Sequence, residues 1–133
     1  MEQQIIRAPT PARHRSSLMP KTNRPPLDID SLRKDIVFRE TLLGRELEFH
    51  TTWGLFSPRA IDDGSRLLLD HLRVQEDDRA IDLGCGYGPL GLAIAANAPR
   101  GNCLMVDKDF VAVEYANGNA RRNRIDNAHA ILS

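Results

Sequence analysis

Apolar and polar positions recur along this chain with a period that changes several times. In "DIVFRETLLGRELEFHTT" two short apolar runs, Ile36–Phe38 and Leu47–Phe49, flank a Leu43-Gly44 pair, the pattern of a β-hairpin. "GLFSPRAIDD" follows as a connecting loop. Ile61, Leu68, Leu69 and Leu72 recur at helical spacing, which predicts a helix from about Asp62 to Leu72, ended by the polar turn "QEDD". An alternating series comes next. Arg79–Leu83 reads as a short strand, and Pro89 suits the first turn of an apolar helix through "LGLAIAA". Asn102–Val106 is a second strand, and a helix opens near Asp109, a good N-cap type, and runs through Tyr115 and Ala120. "AHAIL" at 128–132 is a third strand. Strand–helix–strand–helix–strand with short turns implies right-handed crossovers and a parallel sheet. The predicted fold class is α/β, with a hairpin in front of a short parallel sheet.

The residues before Asp35 follow no such period. Between Glu2 and Asp28 stand five cations (Arg7, Arg13, Arg15, Lys21, Arg24) and no acid, and five of the eight prolines fall in the same stretch. A segment so poor in apolar surface does not offset its own ordering entropy, so residues 1–34 are expected to form a disordered basic tail, with a weak RNA-contacting arm as the alternative. Residues 35–133 are expected to form one domain. Over the whole chain 18 basic and 18 acidic residues cancel, so there is no bulk field for gripping RNA or an anionic membrane. No apolar run approaches the length of a membrane helix. Cys85 and Cys103 form no CxxC pair, and the four histidines are scattered, so neither a disulfide framework nor a metal site is expected. These features suggest a cytoplasmic protein.

The candidate chemistry lies in "IDLGCGYGPLG", where four glycines follow the first strand of the alternating series. In a parallel sheet, ligands sit where a strand gives way to its helix. Gly84, Gly86 and Gly88 fall there and let a ligand approach the backbone amides, while Gly91 permits close helix–strand packing. Residues 86–91 formally match GxGxxG, the Rossmann dinucleotide fingerprint. Asp107, about 20 residues on at the end of the second strand, is placed to accept hydrogen bonds from ribose hydroxyls. NAD and an adenosyl cofactor both suit that acid. Asp82 separates them, because an anion beside this turn repels a pyrophosphate but suits the ammonium and sulfonium of S-adenosylmethionine (SAM).

"DLGCGYGPLG" resembles the first motif of class I SAM-dependent methyltransferases with their Rossmann-like fold. "FHTTWGLFSPRAIDDGSRLLL" is similar to the region leading into the small-domain (MTS) methyltransferases, the family typified by bacterial rRNA small subunit methyltransferase C. That family carries a GVFS-type segment, then an LD-x-G-[ST]-x-LLL helix, then DLGCGxGxxG. Here stand Gly54-Leu55-Phe56-Ser57, Ile61-Asp62-Asp63-Gly64-Ser65 and Leu67-Leu68-Leu69, and "VDKDFVAVEYANGNARRN" is similar to its second motif. The resemblance covers roughly residues 35–133. It implies that Asp82, Gly84, Cys85 and Gly86 hold the methionine part of SAM, Asp107 the ribose, Lys108 the adenine, and that Phe56 and Ser57 line the pocket mouth.

The implied reaction is methyl transfer to an exocyclic amine, such as guanine N2 of small-subunit rRNA. Related small-domain enzymes act on protein glutamine amides. Family members present the amine with an Asn-Pro-Pro-aromatic motif, and this sequence has no Asn-Pro pair. The chain is therefore expected to be the N-terminal, SAM-binding part of an enzyme, with no catalytic residue assigned. A SAM-binding module without activity and an NAD-dependent oxidoreductase are the rival readings. Three parallel strands leave a sheet edge open, so self-association through that edge is expected. Several single residues have simpler roles. Asp109 reads as a helix cap, Asp62 and Asp63 as first-turn acids, Tyr87 as a turn-shaping residue, Trp53 as packing on the hairpin, with stacking on a base as the alternative, and "ARRNR" as a solvated helix end.

Overall fold

The computed structural model describes residues 35–133; the basic tail expected over 1–34 lies outside the described residues. The chain first makes an antiparallel hairpin of β1 (Ile36–Leu42) and β2 (Arg45–Thr51). Its strands are longer than the apolar runs alone suggest. Leu43 and Gly44 both take positive φ (48° and 76°), a tight two-residue turn whose twist matches the strands and carries pairing right up to Leu42 opposite Arg45.

Helix α1 (Asp63–His71) follows, one residue shorter at each end than expected, because Asp62 and Leu72 are its caps. Asp62 accepts hydrogen bonds from the Ser65 amide (3.1 Å) and hydroxyl (2.7 Å), so it stands just outside the first turn and Asp63 inside it. The alternating series is as expected: β3 (Arg79–Leu83), α2 (Pro89–Asn97), β4 (Asn102–Asp107), α3 (Phe110–Arg122) and β5 (Ala128–Leu132). Asp109 caps α3 by accepting from the Val111 amide at 2.9 Å.

The three strands form a parallel sheet in the order β3-β4-β5. Alternation along them separates two faces. Ala80, Asp82, Cys103, Met105, Ala128 and Ala130 point towards α2 and α3, whereas Ile81, Leu83, Leu104 and Ile131 stand out on the opposite face. Parallel sheets are ordinarily covered on both faces, and among the described residues this one is covered on one. The core joins hairpin and sheet. Phe38, Phe49 and Tyr87 form an aromatic trio with centroids 5.6 to 6.0 Å apart, above the fully buried Leu92 and Met105.

Asparagines of α3 tie the parts together. Asn119, fully buried, accepts from the His50 amide (2.8 Å) and donates to the carbonyls of His50 (3.0 Å) and Tyr87 (2.9 Å). Asn123, one turn on, accepts from the Glu48 amide (2.9 Å) and donates to the Glu48 carbonyl (2.8 Å). Two helix side chains thus imitate a neighbouring strand along the outer edge of β2. Far from being only a solvated helix end, this segment is the hairpin's dock. Asn117 does the same for β5, exchanging bonds of 2.9 Å with both backbone groups of Ala130.

Candidate functional site

The turn between β3 and α2 contains Gly84 and Gly86 at positive φ (73° and 56°), with open space where a Cβ would stand. Side chains there would fill the cradle, and the glycines keep it clear. The expectation that amides line this cradle needs correcting. Gly84 and Cys85 both donate to the Val106 carbonyl (2.7 and 3.0 Å), and Gly86 donates to Asp107 (2.9 Å). These three amides are engaged by β4, whereas among the described residues the Gly84 carbonyl accepts nothing. The surface offered here is one of acceptors, which suits a cation.

The helix start is made unfavourable to anions as well. Position one of α2 is Pro89, which has no N–H, and the Gly91 amide donates to the carboxylate of Asp82 at 2.9 Å. Asp82 therefore supplies from within the negative charge that a helix N-terminus attracts. Gly91 makes that approach possible. An added Cβ would sit 2.5 Å from Met105 Cγ and 3.0 Å from Asp82 Oδ2.

Burial pushes the Asp82 carboxyl above the usual carboxylate range; the Gly91 hydrogen bond opposes this, and Asp107 nearby adds to it. With its pKa raised on folding, the native state binds more protons than the unfolded chain between the ordinary aspartate value and the raised one. Stability consequently falls as pH rises through that window. Asp82→Asn retains an acceptor for Gly91 and removes the charge. Its melting temperature is expected to exceed the parent's at about pH 7, with the gap closing towards about pH 4. Thermal melts across that range check this, and parallel curves would contradict it.

Asp107, last in β4, accepts from the Gly86 amide through one oxygen and from the Asp109 amide through the other, both at 2.9 Å. An ionised carboxylate has about four acceptor positions, so about two remain for hydroxyls. Lys108, next in the chain, is exposed. Cys85 is buried, and burial, with Asp82 and Asp107 adjacent, pushes its thiol up to about 12. The thiol is neutral and unreactive, and its backbone is what shapes the turn.

Phe56 and Ser57 lie on the loop after β2 rather than on the turn, and Tyr87 joins the two segments. Its hydroxyl donates to the carbonyls of Ser57 (2.9 Å) and Ala60 (3.2 Å). Tyr87 thus does more than shape its own turn. Phe56 is 79% exposed, and Trp53 does not pack on the hairpin; it is 57% exposed with the Arg59 guanidinium 4.5 Å above its ring. Of the sequence-derived residues, Asp82, Gly84, Cys85, Gly86 and Asp107 converge on one cradle. Sequence reasoning missed the Asn119–Tyr87 bond that supports the turn, whose one signal is a string of asparagines in a helix that disfavours them. Among the described residues no group of His, Cys, Asp or Glu is arranged to hold a metal ion, and no helix is long and apolar enough to cross a membrane.

Residues 46–133 match the family model described as methyltransferase small domain. The uncharacterized protein YbxB of Bacillus subtilis is 40% identical over 87 residues, which is 65% of this chain and 43% of that protein. Ribosomal RNA large subunit methyltransferase G of Aeromonas salmonicida is 38% identical over 85 residues, 64% of this chain and 22% of that one. Among solved structures, the 16S rRNA N2 methyltransferase RsmC of T. thermophilus, in complex with AdoMet (SAM) and guanosine, superposes with a TM-score of 0.68. It is 30% identical and covers 74% of this chain and 28% of that one. M. jannaschii TYW2, at 17% identity and a TM-score of 0.59, shares the fold. The chain spans less than half the length of these proteins.

Proposed function

The chain belongs to the methyltransferase small domain family, and on that premise we propose that it forms the SAM-binding part of an enzyme methylating an exocyclic amine of ribosomal RNA. The observation that carries the choice of cofactor is the state of the glycine turn. Its Gly84, Cys85 and Gly86 amides are engaged by Val106 and Asp107, and Asp82 places a negative charge at the start of α2, so a pyrophosphate finds few donors and a like charge. A SAM ammonium finds the Gly84 carbonyl and the Asp82 charge. This argues against the NAD reading on grounds independent of the family.

In this reading Asp107 holds the two ribose hydroxyls with its remaining acceptor positions, and Lys108 flanks the adenine. Phe56 and Ser57 close the mouth. SAM supplies an electrophilic methyl group on a sulfonium. What these residues contribute is position: they fix the cofactor so that an incoming amine meets the methyl carbon in line with the departing sulfur. The Asn-Pro pair of the family's amine-orienting motif does not occur in this sequence. An RNA substrate agrees with the named activities of the relatives. Guanine N2 is the favoured amine, because the solved relative is an N2 methyltransferase seen with guanosine. A cytoplasmic location goes with such a substrate.

Calorimetric titration of the full chain with SAM and, separately, with NADH tests this. SAM is expected to bind and NADH not to. Asp107→Ala should weaken SAM by at least about 2 kcal/mol, some thirty-fold, since it removes charge-assisted bonds to the ribose. Retained affinity in that variant, or binding of NADH, would overturn the reading.

A further inference from the structure

We propose that the Trp53–Arg59 stack on the loop after β2 is a platform for an unpaired base of the RNA substrate. This deepens the RNA reading above and rests on it. A loop at the surface normally buries its large aromatic residues, and this one does the reverse. Leu55 is tucked into the core, while Trp53 and Phe56 on either side of it stand in solvent. The arrangement is held from beneath. Thr51 donates its hydroxyl to the Pro58 carbonyl, Tyr87 reaches the carbonyls of Ser57 and Ala60, and the Leu55 amide bonds Thr52 at 3.3 Å. Ser57 sits at φ 48°, a conformation that costs a non-glycine residue roughly 1–2 kcal/mol and persists only where the surroundings enforce it.

What these ties present is a flat, layered surface. The Arg59 guanidinium lies over the indole, and among the described residues no carboxylate pairs with it. Its N–H edge is therefore open to a phosphate or a base edge, and its plane to stacking. Asp62, which lines the same hollow, is engaged by Ser65. Tyr87 belongs to the glycine turn, so the platform is one side chain away from the cofactor cradle. With the chain's net charge at zero there is no general field to hold a nucleic acid, which gives weight to local contacts of this kind. Recognition of unpaired RNA by aromatic and guanidinium planes has this form.

Trp53 is the sole tryptophan, so its fluorescence reports on this site and not on the basic tail. The full chain is titrated with a short unstructured RNA, and binding of the same RNA, end-labelled, is followed by anisotropy in the parent, Trp53→Ala and Arg59→Gln. Both residues are exposed, so neither change is expected to unfold the chain, which circular dichroism checks. The expected result is saturable quenching, with about ten-fold weaker binding in Trp53→Ala and several-fold in Arg59→Gln. No quenching, unchanged RNA affinity in both variants, or quenching by a glutamine-bearing peptide but not by RNA overturns the platform. SAM binding measured on the same samples keeps the two readings apart. Loss of the platform with SAM binding intact leaves the cofactor site standing, and the converse leaves the platform standing.

Discussion

Asn119→Leu, which keeps the branched outline of the side chain and removes the amide, is expected to destabilise the chain by about 3–4 kcal/mol, lowering the melting temperature by on the order of 15 °C. Three backbone groups lose their partner at once: the His50 N–H, the His50 carbonyl and the Tyr87 carbonyl. Asn119 itself is fully buried and the His50 groups partly so, and an unsatisfied buried polar group costs about 1–3 kcal/mol. The failure should be local before it is global. The hairpin would detach from α3 first, and amide exchange at His50 would accelerate ahead of that in β4. Asn123→Ala, at a half-buried position, is the internal comparison and should cost only about 1 kcal/mol. A parent-like melt for Asn119→Leu, with the His50 amide still protected, would show that the hairpin is held by its aromatic contacts alone.

Gly91→Val is expected to cost about 3 kcal/mol, by a different route. An added Cβ already lies 2.5 Å from Met105 Cγ and 2.8 Å from its sulfur, and Met105 is completely buried, so the side chain has nowhere to swing. Either β4 or the start of α2 must move, and the hydrogen bond from the Gly91 amide to Asp82 goes with it. The variant should therefore lose SAM affinity even where it remains folded. Shrinking the obstacle provides the decisive control: Met105→Ala in the Gly91→Val background is expected to recover part of the lost stability, although Met105→Ala alone is destabilising. Urea denaturation of the four chains measures the coupling. Simple additivity would mean that the strain is not between these two residues.

The order of elements and the location of the cradle were legible because both rest on local rules. Periodicity finds β3, α2, β4 and α3, and a cluster of glycines after an apolar strand marks the turn; Asp107 follows from its position at a strand end. The polar groups that decide what the cradle accepts were not legible. Whether the Gly84 and Cys85 amides are free depends on the Val106 carbonyl, about 21 residues away in the chain, and nothing in "GCGYG" announces that pairing. The same holds for Asn119 and Asn123, whose partners on β2 lie 69 and 75 positions back. Trp53 shows a third limit. An apolar residue beside a strand is expected to pack, and only the positions of Leu55 and Tyr87 reveal that the inward places are already taken.

The two margins of the parallel sheet are unequal. On β5 the side chain of Asn117 occupies both backbone groups of Ala130, whereas β3, with Ile81 and Leu83 exposed beside it, pairs on one side only among the described residues. An object with one adhesive margin behaves as a chain terminator. It can acquire a single neighbour, and once two such margins meet, nothing is left to propagate from. Fibrous growth by sheet extension needs two open margins on every unit. Among the described residues the asparagine on α3 thus acts as a plug at Ala130, and β3 is the margin where a further strand meets no such side chain.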